Sequence, residues 1–148
     1  MAQDRDPEKL KQKLHDFALT FPFFQLLGFE VLDFGPGFSK TRISVRDDLK
    51  NPNGVIHGGV IATLIDAGIT QAMLMTDAYQ EIRDTKGMLT TLDLRVKYLR
   101  PLSAGSLTCS AEVPRIGKRI AHASALVTGD DGKEIAIGDS MLMLMAGK

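Results

Sequence analysis

Gly58-Gly59-Val60-Ile61-Ala62-Thr63-Leu64-Ile65-Asp66-Ala67-Gly68-Ile69-Thr70-Gln71-Ala72-Met73-Leu74-Met75 is a run of about 18 residues, too long for an ordinary strand and the length of a helix of roughly 27 Å. Apolar residues fall on every side of the helical wheel, the pattern of a helix enclosed by protein rather than lying on a surface. A membrane span needs about 20 apolar residues with few polar interruptions. Thr63, Asp66, Thr70 and Gln71 interrupt this run, so it is expected to be a buried core helix with the rest of the chain arranged around it.

The start of such a helix leaves N–H groups unpaired and carries a partial positive charge. Gly58 and Gly59 put no side chain between those groups and a ligand. The end can therefore bind an anion, or stabilise an oxygen on which negative charge is developing. Two readings of the glycines stay open: such a site, or a turn that only permits tight packing. Asn51 and His57 beside them favour the site, although Asn51 is also an ordinary turn residue and His57 an ordinary hydrogen-bonding brace. Nothing local gives His57 a second metal ligand, so a positioning role is expected of it.

Asp66 is the one acid of the run. An unpaired carboxylate in an apolar helix costs several kcal/mol and needs a partner, water or a raised pKa. It is either a working acid or a structural one bonded to backbone or to a neighbouring Thr. It lies eight residues past Gly58, roughly 12 Å along the axis, whereas a general base or nucleophile must come within about 3 Å of its target. One straight helix cannot present the Gly58 N–H and the Asp66 carboxylate to the same carbonyl. If both act on one bond, they come from two chains related by a two-fold axis.

Asn51, then His57-Gly58-Gly59, then Leu64 and Asp66 resembles the motif of the hotdog-fold acyl-CoA thioesterases, in particular the phenylacetate-pathway type within the hydroxybenzoyl-CoA thioesterase superfamily. Thr91-Leu92-Asp93-Leu94, Tyr98-Leu99-Arg100-Pro101 and Gly117-Lys118 are similar to later segments of the same family, and the likeness runs from about Phe23 to the C-terminus. It implies an α+β hotdog fold, an antiparallel sheet wrapped around one long central helix, working as a dimer and often as a dimer of dimers. It also implies that Gly58 polarises the thioester carbonyl and that Asn51 and His57 position it or hold its loop. Asp66 of a partner chain is then the general base for water, or a nucleophile, and Thr91 orients the attacking water. Gly59 lies beside the carbonyl site, and Arg100, Lys118 and Arg119 are candidates for the phosphates of coenzyme A, against the plainer alternative of solvated surface charge.

The flanks fit one domain. In 148 residues with 44% hydrophobic content there is material for a single core, expected as an N-terminal helical segment over 1–27 and a hotdog core over 28–148. Asp6-Pro7-Glu8 starts a helix with a cap, a proline and an acid; Leu10, Leu14, Phe17, Ala18 and Phe21 follow at helical spacing. Phe23, Phe24, Leu26 and Leu27 make a short apolar segment after Pro22. The phenylalanines of 17–24 either line an acyl pocket or pack in the core.

Strands are expected over 29–34 and 38–45, joined by Gly35-Pro36-Gly37, and a loop over 47–54. After the helix, 76–87 is polar and reads as a loop. Strands follow over 89–99, 106–116, 119–128 and 134–145 as an antiparallel meander. Simple alternation along 89–99 puts Thr90, not Thr91, on the face of Leu92, Leu94, Val96 and Tyr98; a bulge or a dimer seam would reconcile this with the resemblance. Cys109 alternates with Leu107, Ala111 and Val113 and is expected in the core, with nothing local to activate it.

Eighteen basic and eighteen acidic residues cancel, which favours neither nucleic acid nor an anionic membrane as partner. One cysteine makes no internal disulfide and no cysteine-rich zinc site. The charged start without an apolar leader makes the cytoplasm the expected location. The expected activity is hydrolysis of an aryl- or medium-chain acyl-CoA by a homodimer or homotetramer. Neither metal nor redox cofactor is expected, coenzyme A entering as part of the substrate. A hotdog-fold hydratase or dehydratase would use a His/acid pair, for which His57 and Asp66, nine apart, are poorly placed in one chain; a non-catalytic acyl-CoA-binding protein is the other alternative.

Overall fold

The computed structural model describes residues 6–148, and residues 1–5 of the charged start lie outside the described residues. Helix α1 spans Pro7–Ala18, with the Asp6 carboxylate accepting from the Glu8 N–H over 3.0 Å. Leu14 and Ala18 are its buried face, and Lys11 reaches Asp33 on the first strand at 2.6 Å. The apolar segment after Pro22 is a second, short helix, α2, Pro22–Leu27. Proline at its first position costs no hydrogen bond, because that N–H would be unpaired in any case.

Six strands form one antiparallel sheet: β1 Glu30–Gly35, β2 Phe38–Ser44, β3 Met88–Tyr98, β4 Ser106–Ile116, β5 Ile120–Thr128 and β6 Glu134–Met145. Their order is β1-β2-β4-β5-β6-β3. The strands are antiparallel as expected, but β3 leaves the meander. The helix between β2 and β3 carries the chain across the sheet, so β4 pairs with β2 while β3 pairs with β6 at the far edge.

That helix, α3, is Gly58–Met73. It lies on the sheet against β4, β2 and β5, and its Leu64, Ile65, Ile69 and Met73 are fully buried. Each such side chain contributes about 1.5–3 kcal/mol by leaving water. The helix comes close to the sheet at Gly68, where a Cβ would stand 3.0 Å from Cys109 Sγ, and the Ser39 hydroxyl donates to the Gly68 carbonyl over 2.6 Å. Cys109 is buried, as expected from its alternation. This is the hotdog arrangement, a sheet wrapped on one long helix with extra helices at the N-terminus.

The stretch read as a loop over 76–87 contains a further helix, α4, Asp77–Asp84. Polar composition concealed it, yet its signals are local. Thr76 caps Tyr79 N–H at 3.3 Å, Asp77 stands in the first turn and Arg83 in the last. Ala78 and Ile82 are half-buried against the core. No single helix among the described residues is long and apolar enough to cross a membrane.

Candidate active site

The loop before α3 is tied down by its own backbone. Asn51 N–H donates to Val55 O at 2.8 Å, and Asn53 N–H donates to the Asn51 side chain at 2.9 Å. Ile56 and His57 N–H groups donate to Leu102 O and Leu49 O. Asn51 thus closes an Asx turn with its side-chain oxygen.

His57 then decides what the helix start can offer. An α-helix begins with about four N–H groups lacking helical partners. His57 Nδ1 accepts from Gly59 N–H at 2.8 Å, and the His57 carbonyl accepts from Val60 and Ile61 N–H at 2.9 and 3.3 Å. Gly58 N–H donates to no described residue. One histidine therefore consumes every early donor except that of Gly58, at the positive end of the helix dipole. Because Nδ1 is an acceptor here, the imidazole is held as the Nε2–H tautomer.

Gly58 lines a cavity of about 320 Å³ together with Asn51, Ile61, Tyr98 and Arg100. The Tyr98 hydroxyl donates to the Gly58 carbonyl over 2.8 Å. A Cβ at Gly58 would stand 3.2 Å from the Tyr98 ring, so a side chain there would press on the ring. In the sequence Tyr98 stands in the Tyr98-Leu99-Arg100-Pro101 motif and on the apolar face of its strand; the missing side chain at Gly58 is the one local signal that something lies against it.

Asp66 is half-buried on α3. Its Oδ1 accepts from the Thr91 hydroxyl over 2.8 Å. Thr91, rather than Thr90, meets the acid because the β3–β6 register shifts between Thr91 and Asp93. The bulge at Leu92 reverses which face the earlier residues of β3 present.

Within one chain the groups form two clusters. Asn51, His57, Gly58, Gly59, Tyr98 and Arg100 gather at the start of α3, and Asp66 with Thr91 lies two turns further on, roughly 12 Å away. The remaining basic candidates divide in the same sense. Arg100 follows the end of β3, where Tyr98 pairs with Ala136, whereas Lys118 and Arg119 precede Ile120, which pairs with Met143 near the Met88–Met145 end. The structure does not bring Arg100 together with Lys118 and Arg119 in one protomer. Nor does it pair His57 with Asp66. Among the described residues no three His, Cys, Asp or Glu side chains converge as a metal site requires.

A second cavity, of about 770 Å³, is lined by Phe17, Phe21, Phe23 and Phe24 from α1 and α2 and by Thr70 and Leu74 from the end of the α3 segment. Phe17, Phe21 and Phe23 are exposed by 41–60%. These three rings line the cavity, whereas Phe24 also packs against the core, its ring centroid 4.4 Å from that of Phe29.

A long helix on an antiparallel sheet, an open N–H at its start and an acid two turns on define a hotdog-fold thioester hydrolase. The model of the Thioesterase superfamily matches residues 53–136, more than half of the chain, and the chain belongs to that superfamily. It is 27% identical over 137 residues to the medium/long-chain acyl-CoA thioesterase YigI of Salmonella typhimurium, covering 86% of this chain and 88% of that protein. Among solved structures, the E. coli PaaI protein from the phenylacetic acid degradation operon superposes with a TM-score of 0.79 at 21% identity, covering 96% of this chain and 97% of that one. A mutant of the phenylacetic acid degradation protein PaaI of Thermus thermophilus superposes with a TM-score of 0.70 at 28% identity, covering 83% and 98%.

Proposed function

We propose that the protein hydrolyses acyl-CoA thioesters in a site assembled from two copies of the chain, one supplying the Gly58 N–H and the other Asp66. The observation that carries this reading is the separation of the two groups on one unbroken helix. The substrate carbonyl oxygen accepts from Gly58 N–H, and Asp66 of the second copy takes a proton from water as the water oxygen bonds to the carbonyl carbon. Charge gathering on the carbonyl oxygen is stabilised by the N–H and the helix dipole. Collapse of the tetrahedral adduct breaks the C–S bond, the proton held by Asp66 passes to the departing sulfur, and coenzyme A thiol and the free acid leave. Thr91 occupies one carboxylate oxygen of Asp66 and so leaves the other for water. His57 and Asn51 hold the loop that aims the N–H, and Gly59 leaves that approach unobstructed.

Several features support association. β3 is an edge strand with Met88, Leu92 and Tyr98 exposed by 49–59%, and an open apolar edge invites a second strand. Two-fold pairing would set the Arg100 end of one protomer beside the Lys118 and Arg119 end of the other, as one bound coenzyme A needs. A homodimer, further paired into a tetramer, in the cytoplasm, with the chain as one domain and no metal or redox cofactor, completes the proposal. The acyl group runs past Asp66 toward Thr70 and into the phenylalanine-lined cavity, whose volume falls in the ~300–1,000 Å³ range of small-ligand sites. Aryl and medium aliphatic chains both suit that lining.

The deciding experiment is a thiol-release screen over phenylacetyl-CoA and straight-chain acyl-CoAs of increasing length. Release of coenzyme A with kcat/KM in the usual enzyme range, about 10⁴ M⁻¹s⁻¹ or more, for one of these groups is the expected result. Tight binding without turnover would instead make the protein an acyl-CoA carrier or sensor.

A further inference from the structure

We infer that Tyr98 is a positioning residue for the Gly58 N–H, an inference that rests on the function proposed above. A donor that stabilises developing charge works only if it is aimed before the charge forms. Gly58 is badly placed to be rigid by itself. It is the first residue of α3, where helices fray, and glycine has the freest backbone of all residues. Its nitrogen donates to no described residue. The peptide unit that carries this N–H is anchored on one side by the His57 carbonyl, which accepts from Val60 and Ile61 N–H, and a second anchor on the carbonyl side of Gly58 completes its aim.

Tyr98 supplies it twice. Its hydroxyl donates to the Gly58 carbonyl at 2.8 Å, and its ring lies 3.2 Å from where a Cβ on Gly58 would stand. The hydroxyl fixes the carbonyl end of the residue and the ring blocks rotation toward β3. Tyr98 is itself held, since it pairs with Ala136 and the next two N–H groups, of Leu99 and Arg100, both donate to Ile135 O at 2.9 and 3.2 Å. Within one chain the tyrosine is 54% exposed, so burial by the chain's own residues does not account for the pose. The contact ties the carbonyl side of the helix start to a strand, in the wall of the cavity that Gly58 lines.

The test is Tyr98→Phe in the full chain, followed by coenzyme A release from phenylacetyl-CoA and octanoyl-CoA. The ring is kept and one hydrogen bond is lost, so kcat falls about tenfold with KM within about twofold. Thermal midpoint and oligomeric state stay as in the wild type. In a double-mutant cycle, Gly58→Ala pushes on the ring and its hydroxyl, so the combined loss with Tyr98→Phe is smaller than the sum of the two. Wild-type kcat in Tyr98→Phe, fully additive losses in the cycle, or a loss accompanied by a lower midpoint overturns the assignment. A wild-type chain inert towards every acyl-CoA of the screen brings down the proposed function itself, a different result from an active wild type indifferent to Tyr98→Phe.

Discussion

The Thr91 hydroxyl donates to Asp66 Oδ1 over 2.8 Å, and seven residues further along the same strand the Tyr98 hydroxyl donates to the Gly58 carbonyl over 2.8 Å. Seven is odd, and alternation in a regular strand would send the two side chains to opposite faces. Both reach α3 because the register shifts between Thr91 and Asp93. One extra residue at Leu92 lets a single strand hold both chemically interesting points of the helix.

Thr91→Val should therefore lower kcat by roughly tenfold, the worth of a hydrogen bond to a charged group, while Thr90→Val changes it by less than about twofold. Steady-state rates on the best acyl-CoA of the screen separate the two. Equal effects at both positions would mean that the hydroxyl on Asp66 plays no part in turnover.

The same bulge marks how far the sequence could be read. The central helix, its burial, its glycine start and its single acid were legible because periodicity and composition report them directly. Strand ends over 106–116 and 134–145 fell where turn residues put them. The bulge was legible only as one of two ways to reconcile the alternation with Thr91, since no glycine or proline fixes it at Leu92 and it follows from what β3 must touch on α3. The displacement of β3 to the far edge was also hidden, because adjacency of strands depends on where the intervening helix deposits the chain. Helix α4 was missed for a third reason: its polar face dominates its composition, and the Thr76 cap and Ala78 and Ile82 contacts carry little weight in a short window. Tyr98 was visible as a letter in a motif, but its partner at Gly58 is 40 residues away.

Asp66→Asn keeps the shape of the side chain and an oxygen able to accept from Thr91, but it cannot take a proton from water. Loss of kcat by about 10²–10⁴ is expected for removal of a general base, with substrate binding and assembly unchanged. Single-turnover hydrolysis in ¹⁸O-labelled water then tests for a nucleophile in the wild type, since hydrolysis of an anhydride at its Asp66 carbonyl leaves label in that carboxylate, whereas general-base catalysis puts it all in the product acid. Retention of near-wild-type turnover in Asp66→Asn would remove the acid from the mechanism.

The role of the Gly58 N–H can be isolated from the space around it. Proline is tolerated at the first position of a helix, and His57 before it already has an extended backbone, φ −66° and ψ 134°, which a following proline accepts. Gly58→Pro deletes the N–H, whereas Gly58→Ala keeps it and adds only the Cβ that crowds Tyr98. The proline variant should lose about 10²–10³ in kcat, as oxyanion donors do, and the alanine variant clearly less. Equal losses would assign the whole effect to crowding.

Cys109 offers a check on the core. Burial pushes its thiol up to about 12 from the ordinary 9.0, against a smaller opposing pull from the Thr41 hydroxyl. The folded chain holds this proton where the unfolded chain releases it. The contribution to stability is therefore fully present below pH about 9 and is lost as pH rises through about 12. Urea melts should show weakening stability over that window, relieved in Cys109→Ala apart from the cost of the lost sulfur. At pH 8, iodoacetamide should label Cys109 only as fast as the fold opens; rapid labelling of the native protein would show that the α3–sheet contact is loose.

Subunit complementation tests the two-chain site directly. Consider Asp66→Asn and Gly58→Pro chains, each inactive alone, unfolded together and refolded as a mixture. In a mixed dimer one site receives Gly58 from the first chain and Asp66 from the second, both intact, and the other site receives both defects. Random pairing makes about half of the dimers mixed, each with one working site of two, so the mixture should recover about a quarter of wild-type activity. If the two groups served a site within one chain, every site would carry one defect and nothing would be recovered. The KM of the recovered activity should match the wild type, because each restored site is complete, and a tetramer of such dimers gives the same fraction, because its sites are still formed pairwise. Activity that stays at the level of the separate variants, with mixed dimers demonstrated by mass, would rule out the assembly on which the proposed mechanism depends.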